Sequence, residues 1–206
     1  MKECCIFAGA EIEDYSNIKI SSSAYIICAD GGYSHARRLA LTANVVIGDF
    51  DTLADEISED CEIIRYPSEK DDTDTMLAIK LALERNYTDI RIYGAVGGRL
   101  DHTIANIQSI AYVNENGASA TIYGDNEIIR LLSNGRTTFE KREGYYFSLF
   151  AFTEQCIGVS TKGLKYNLAD ATLTANFPLG VSNEILQDIC EIEVKTGTLL
   201  IIFSKR

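Results

Sequence analysis

Acidic residues follow four of the buried strands that the sequence predicts, at the point where each strand ends. Asp30 follows the second predicted strand, Asp49 and Asp51 follow the third, Asp74 lies in the loop after the fourth, and Asp101 comes after the fifth. Because the carboxyl ends of parallel strands meet at one edge of a sheet, we expect these side chains to lie close together. A single Asp of this kind is more often a turn or helix N-cap residue, but four acidic loops at one edge indicate a site.

Carboxylates crowded in this way predict a bound cation. They repel one another and destabilise the fold unless a cation neutralises them. Oxygen ligands without His or Cys suit Mg²⁺, which bridges protein carboxylates to substrate phosphates. Asp49 and Asp51 can point at one ion if Phe50 between them faces the core.

Donors for a phosphate group are present in the same loops. Gly94–Gly98 allows backbone N–H groups to approach an anion at the start of a predicted helix, while Arg99 and Lys70 add positive charge. The segment is neither a Walker loop nor a G-x-G-x-x-G motif. Together, the residues predict a Mg²⁺-dependent enzyme that moves a phosphate-containing group from ATP onto a small molecule.

The elements that position these loops change character near residue 125. Residues 1–125 alternate short, continuously apolar runs with helical patterns, which predicts a doubly wound, mostly parallel α/β domain. The predicted strands are Cys4–Ala8, Ala24–Ala29, Val45–Gly48, Cys61–Tyr66, Ile90–Ala95 and Ala118–Tyr123, and the predicted helices are Tyr33–Leu41, Asp74–Asn86 and His102–Asn116.

Residues 126–206 read as a second domain of short antiparallel strands, a sandwich or a small barrel. The predicted strands are Glu127–Ser133, Arg136–Glu140, Tyr145–Phe152, Ile157–Thr161, Ala171–Thr174, Ile189–Lys195 and Leu199–Ser204. Turns are predicted at Asn134-Gly135 and Thr196-Gly197, among others.

Composition narrows the class of protein. The formal net charge of -11 argues against nucleic acid and anionic lipid as partners, since both need basic clusters. No apolar stretch approaches the roughly 18 residues that span a bilayer, and the N-terminus lacks a signal-peptide pattern. The six cysteines contain no C-x-x-C pair, so we expect reduced, buried thiols in a cytoplasmic protein.

Six short motifs, in order, resemble those of the thiamine pyrophosphokinase family. They are Cys28–Gly32, Gly48–Asp51, Asp71–Asp74, Gly97–His102, Gly163–Leu168 and Gly180–Glu184. The resemblance implies an α/β domain (1–125) that binds ATP and carries out catalysis, followed by a β-sandwich (126–206) that binds thiamine. It also implies a homodimer with the active site at the subunit interface. The implied reaction transfers the diphosphate of ATP, the co-substrate, to the thiamine hydroxyl and yields thiamine diphosphate and AMP.

The resemblance also implies roles for individual residues. Asp49, Asp51 and Asp74 would hold Mg²⁺ and the phosphates, and Asp101 would lie near the thiamine hydroxyl. The implied ATP and phosphate contacts come from Asp30, Gly31, Lys70, Thr73, Gly97, Gly98 and Arg99. Ser182 and Asn183 of the other subunit would contact the pyrimidine of thiamine. The chain departs from some members in having no Trp to stack on thiamine, and in carrying Lys70 where some carry Gln.

Three alternatives remain open at this stage. An ordinary kinase acting at the γ-phosphate would use the same loops but release ADP. A non-catalytic sensor of nucleotide or thiamine would bind ligands without turnover, and a structural protein would carry the acidic edge only as a solvated rim. The carboxylate that accepts the proton of the hydroxyl is either Asp101 or Asp74.

Overall fold

The computed structural model describes residues 2–16, 18–50 and 57–206. The chain forms two compact units, Met1–Asp125 and Asn126–Arg206. No helix in these described ranges has both the length and the apolar character needed to span a bilayer.

A parallel sheet forms the centre of the first unit. Its strands, in the order β6-β5-β1-β2-β3-β4, pair parallel throughout. The strands are β1 (Glu3–Phe7), β2 (Tyr25–Ala29), β3 (Val45–Gly48), β4 (Glu62–Arg65), β5 (Asp89–Tyr93) and β6 (Ser119–Tyr123). The helices are α1 (Tyr33–Arg38), α2 (Asp74–Glu84) and α3 (Leu100–Glu115), with a 3₁₀ turn at Asp30–Gly32. Each predicted element of residues 1–125 is therefore observed, with its ends within three residues of the prediction.

Burial on both faces explains why the central strands β1, β2 and β3 read as continuous apolar runs. Phe7 and Cys28 pack in one cluster with Tyr33 of α1. Ile6 and Ile27, the neighbours of Phe7 and Cys28 in sequence, point to the opposite face and are also fully buried. A strand of this kind has no solvent side, so no polar alternation appears in its sequence.

All six cysteines are free and buried. Burial raises the pKa of the Cys5 thiol to about 12 and that of Cys190 to about 11. Both thiols therefore stay protonated near neutral pH and pack as small apolar side chains.

The second unit is an antiparallel arrangement around one long strand. The strands are β7 (Glu127–Glu140), β8 (Tyr145–Ala151), β9 (Gln155–Lys162), β10 (Ala171–Thr174), β11 (Gly180–Asn183) and β12 (Ile189–Lys205). Strand β12 pairs with β7, β8 and β9, while β10 pairs with β9 and β11 with β8. Phe139, Phe147 and Phe203 form an aromatic cluster with ring centroids 4.9–5.8 Å apart.

Two predicted turns in this unit are wrong. The segments around Asn134-Gly135 and Thr196-Gly197 do not end strands, because β7 and β12 each continue through them. The ladder shifts register between Val194 and Thr198, so that three residues of β12 lie opposite one residue of β7. The Gly197 N–H donates to the Asn134 side chain at 2.9 Å across this bulge. Turn-type residues here serve a β-bulge, which has the same local sequence signature as a turn.

The prediction also omits β11 as a strand. Gly180–Asn183 has four residues, of which Val181 and Ser182 are exposed, so it lacks the apolar run that marks the buried strands. Its short pairing with β8 also contains a register shift.

Candidate active site

A cavity of about 630 Å³ lies in the first unit at the carboxyl ends of the parallel strands. Its walls come from the segments that follow β1, β2, β3, β4 and β5, together with the start of α3. Seven of the predicted site residues line it: Asp30, Asp49, Lys70, Thr73, Asp74, Gly98 and Arg99. The structure thus brings together residues that are up to 69 positions apart in sequence.

The remaining predicted residues lie elsewhere. Gly31, Gly97 and Asp101 adjoin residues that line the cavity but do not line it themselves, and Ser182 and Asn183 belong to the second unit. Asp51 lies outside the described residues.

Two residues at the ends of β2 and β3 have left-handed backbone conformations. Asp30 has φ = 46° and Phe50 has φ = 64°, a region that non-glycine residues seldom adopt and that clusters at functional sites. The Phe50 ring packs partly against the core cluster, and the Arg65 guanidinium lies 4.5 Å from its centroid. Phe50 therefore turns toward protein while its neighbour Asp49 lines the cavity.

The ammonium of Lys70 lies between two carboxylates. Lys70 Nζ is 3.1 Å from Asp74 Oδ1 and 3.7 Å from Asp49 Oδ2, and it donates to the Pro67 carbonyl at 3.3 Å. Desolvation lowers the pKa of Lys70, but the contacts with Asp74 and Asp49 outweigh it and leave this pKa raised. The amine is therefore a permanent positive charge near neutral pH.

Helix α2 holds Asp74 at its first position. Thr73 is the N-cap residue, and its hydroxyl oxygen accepts a hydrogen bond from the Met76 N–H at 3.2 Å. A carboxylate in the first turn is stabilised by the helix dipole. Asp72, which immediately precedes Thr73, forms an ion pair with Lys80 at 2.6 Å.

The glycine loop after β5 packs tightly against the segment after β1. The Ala10 N–H donates to the Gly94 carbonyl at 2.9 Å. Gly94 has φ = 65°, and a Cβ at this position would lie 2.5 Å from the Ala8 carbonyl oxygen. No other residue can occupy this position without moving the backbone, which explains the first glycine of Gly94–Gly98.

Arg99 and Asp101 form an exposed pair at the start of α3. Arg99 Nε and Nη2 lie 3.2 Å and 2.6 Å from the two carboxylate oxygens of Asp101, and the two side chains are 74% and 63% exposed. The hydrogen bonds from Arg99 lower the pKa of Asp101, and the same contact raises that of Arg99. Asp101 in this arrangement is a weak base.

Two buried polar side chains that support the cavity were not predicted. Asn106 donates to the Ala95 carbonyl at 2.8 Å and thereby fixes the glycine loop to α3. His35 Nε2 donates to the Ala10 carbonyl at 2.9 Å, which leaves Nδ1 to accept from the Tyr15 hydroxyl at 2.6 Å. The one available signal was a polar residue within an otherwise apolar helix face, because Asn106 precedes Ile110 and Val113 by four and seven positions.

Burial lowers the pKa of His35 below its ordinary value. The ring is therefore neutral at physiological pH, with one nitrogen as a donor and the other as an acceptor. Both of its hydrogen bonds depend on that neutral form.

In the second unit, Asn183 organises the loop around Tyr166. Its Nδ2 donates to the Tyr166 carbonyl at 2.8 Å, and its Oδ1 accepts from the N–H groups of Tyr166 and Glu184. Ser182 is exposed, has φ = 57° and donates its N–H to the Ser148 hydroxyl. The exposed aromatic ring of Tyr166 lies in the same loop.

The donor set around Lys70 fits Mg²⁺ in chemical type. The carboxylates of Asp49 and Asp74 both contact the ammonium of Lys70. Mg²⁺ is commonly held in the same way, by one or two carboxylates together with substrate phosphates. Within residues 2–16, 18–50 and 57–206, no group of three or more His, Cys, Asp or Glu side chains is arranged to hold a metal ion.

A cavity beyond the carboxyl ends of a parallel sheet is the position at which open α/β sheets bind nucleotides and other ligands. Residues 17–122 match the family described as "Thiamin pyrophosphokinase, catalytic domain", and residues 136–201 match "Thiamin pyrophosphokinase, vitamin B1 binding domain". The thiamine pyrophosphokinase of Bacillus subtilis is 30% identical over 163 residues, which cover 76% of each chain. This chain belongs to the thiamin pyrophosphokinase family.

Solved structures agree with this assignment. The crystal structure of thiamine pyrophosphokinase from Bacillus subtilis superposes with a TM-score of 0.91 at 25% identity and covers all of both chains. A thiamin pyrophosphokinase family protein from Enterococcus faecalis gives a TM-score of 0.88 at 27% identity over 99% of both chains. The chain therefore has the fold of this family, with a large mixed β-structure and few helices.

Proposed function

We propose that this protein is a thiamine diphosphokinase, which transfers the diphosphate of ATP to the hydroxyl of thiamine and yields thiamine diphosphate and AMP. The observation that carries the proposal is the cavity that gathers Asp49, Lys70, Asp74 and Arg99 at the strand ends in a chain that belongs to the family. The alternatives of a γ-phosphate kinase and a non-catalytic sensor have no such support from relatives.

Within this proposal, Asp49 and Asp74 hold Mg²⁺, together with Asp51 from the sequence motif. When bound, the metal supplies positive charge that stabilises the transferred phosphates and the AMP leaving group. Lys70, Arg99 and the Thr73 hydroxyl contact phosphate oxygens, and the Gly97 and Gly98 amides add donors. Asp30 and Gly31 contribute the loop on the ATP side.

Proton acceptance from the thiamine hydroxyl falls to a carboxylate. The contact with Arg99 lowers the pKa of Asp101, which makes it a poor base while that pair is intact. One alternative is that Asp74 accepts the proton. The other is that Asp101 accepts it after Arg99 has moved from Asp101 to a phosphate. In either case, positioning of the two substrates supplies most of the rate.

Thiamine recognition belongs to the second unit in this proposal. In a homodimer, the partner's Ser182 and the partner's Asn183 contact the pyrimidine of the thiamine. Asn183 already holds the Tyr166 loop, so its contribution includes placing that loop. The proposal also includes a doubly wound α/β domain that binds ATP, a β-sandwich that binds thiamine, and a cytoplasmic location.

A product assay tests the function. Purified protein is incubated with thiamine, ATP and MgCl₂, and AMP, ADP and thiamine diphosphate are quantified by chromatography, with EDTA and no-thiamine controls. We expect AMP and thiamine diphosphate in equal amounts and no product with EDTA. ADP with thiamine monophosphate would instead indicate a γ-phosphate kinase. Ligand-dependent stabilisation without any product would indicate a sensor.

A further inference from the structure

The ammonium of Lys70 occupies the position between two carboxylates that the proposed function assigns to the metal. It lies 3.1 Å from Asp74 and 3.7 Å from Asp49, and the Lys70 and Asp49 side chains are only 13% and 14% exposed. Because the two carboxylates face this ammonium, their mutual repulsion is offset without any bound metal ion. The protein therefore carries its own counter-cation for this pair.

A divalent ion that binds both Asp49 and Asp74 has to displace this ammonium. Metal binding alone then leaves Lys70 without its two carboxylate partners while its side chain is only 13% exposed, which costs free energy. Among the polar partners of Lys70 that the structure describes, the Pro67 carbonyl, at 3.3 Å, is the one that remains. Metal without nucleotide is therefore opposed by the ion pairs of Lys70.

A nucleotide changes this balance because its phosphates offer Lys70 a new partner. Lys70 lines the same cavity as Thr73, Gly98 and Arg99. An ammonium released from the carboxylates by the metal can pair with a phosphate oxygen that the metal brings with it. The two ligands would then favour each other's binding, which is a coupling free energy between them.

We infer that Lys70 is a positioning residue that couples metal binding to nucleotide binding, by competing with the free metal for Asp49 and Asp74 and pairing with phosphate once both ligands are bound. This inference rests on the proposed function, because it needs a metal and a nucleotide in this cavity. It applies to this chain in particular, since the residue at position 70 is a Lys.

The variant Lys70→Gln separates the effect of Lys70 on metal binding from its effect on nucleotide binding, because the two effects have opposite signs. Isothermal titration measures binding of Mn²⁺ alone and, separately, of a non-hydrolysable ATP analogue with saturating Mg²⁺. We expect the variant to bind Mn²⁺ alone roughly fivefold more tightly and the analogue roughly fivefold more weakly, which is the upper range for one ion pair at a protein surface. Lys70→Arg retains the charge and should stay close to the wild type in both titrations.

Lys80→Gln is the matched control. Lys80 also pairs with an Asp of the same acidic segment, at 2.6 Å from Asp72, but it does not line the cavity. We expect it to leave both affinities unchanged. Mn²⁺ affinity that falls or stays constant in Lys70→Gln would overturn the competition.

Chemical labelling gives a second readout on the unmodified protein. Acetylation of Lys70, followed by mass spectrometry, should rise when Mn²⁺ alone is added and fall when Mg²⁺ and the analogue are added together. Labelling that does not respond to Mn²⁺ would contradict displacement. If neither the wild type nor any variant binds the analogue, the proposed function fails, and the nucleotide half of this inference fails with it. The Mn²⁺ titrations still decide the competition in that case.

Discussion

Asp49 lines the cavity and faces the Lys70 ammonium, so its charge is directed at the proposed phosphate site. We expect Asp49→Asn to lower turnover by roughly 10²-fold or more, because one charged contact to the metal and phosphates is lost. Steady-state kinetics at saturating Mg²⁺ measures the effect, and a thermal melt shows whether the fold is kept. The sequence motif predicts the same result for Asp51→Asn.

Asp71→Asn is the control for this prediction. Asp71 belongs to the same acidic segment, but it is exposed and does not line the cavity. We expect its turnover to stay within about twofold of the wild type, as for most surface substitutions. Equal losses in both variants would mean that general acidity, and not the position of Asp49, matters.

His35 predicts how stability depends on pH. Burial lowers its pKa in the folded protein from the ordinary value of 6.5, so the unfolded chain binds the proton more readily. The stabilising effect is therefore fully present above about pH 6.5 and is lost as the pH falls from there through the folded pKa. Melting temperatures measured from pH 7.5 to pH 5 should fall, and His35→Gln should reduce this dependence.

His102 provides the comparison for this pH series. It is the other histidine of the chain and is exposed, so His102→Gln should melt with the same pH dependence as the wild type. An unchanged pH dependence in His35→Gln would show that the buried ring does not control acid stability.

Single residues were predictable where the reason was topological. Asp30, Asp49 and Asp74 follow strands, and a parallel sheet places strand ends together, so the sequence was sufficient to bring them to one cavity. The Arg99–Asp101 pair and the supporting bonds of His35 and Asn106 were not predictable. Each depends on side-chain directions between segments that the strand pattern does not determine.

At the scale of elements, the close approach of the loops after β1 and β5 depends on Gly94. Gly94→Ala would place a Cβ 2.5 Å from the Ala8 carbonyl and 2.9 Å from the Ala10 carbonyl, at φ = 65°. We expect a loss of about 3 kcal/mol or more in the free energy of unfolding, because backbone on both sides has to move. Urea denaturation measures this loss.

Gly117→Ala isolates the contribution of backbone conformation. Gly117 has φ = 74°, yet a Cβ there would meet no atom within 4 Å. We expect Gly117→Ala to lower the free energy of unfolding by about 1 kcal/mol, because a residue with a side chain is strained in a left-handed conformation. A similar loss in both variants would show that the packing of the Gly94 loop adds nothing.

Elements were predicted best where burial was complete. Strands β1, β2 and β3 are buried on both faces, and their apolar runs therefore mark their ends closely, whereas β4 is mostly exposed. The long strands β7 and β12 were each divided in two, because a β-bulge and a turn use the same residue types. Only the partner strand distinguishes a bulge from a turn, and a local sequence does not show its partner.

At the scale of the whole molecule, the two units carry different tasks in the proposed function. The first unit contains the acidic cavity, and its match is to the catalytic domain of the family. The second contains Ser182 and Asn183, and its match is to the vitamin B1 binding domain. The change from alternating elements to antiparallel strands near residue 125 in the sequence coincides with the boundary between the two compact units.

The most direct test of the central claim follows the phosphorus atoms of ATP. The protein is given thiamine, Mg²⁺ and ATP labelled at the β-phosphorus, and the label is located in the separated products. Diphosphate transfer predicts that the label appears in thiamine diphosphate, in an amount equal to the unlabelled AMP released. Label retained in ADP, with none in the thiamine product, would mean that only the γ-phosphate moves and would contradict the account.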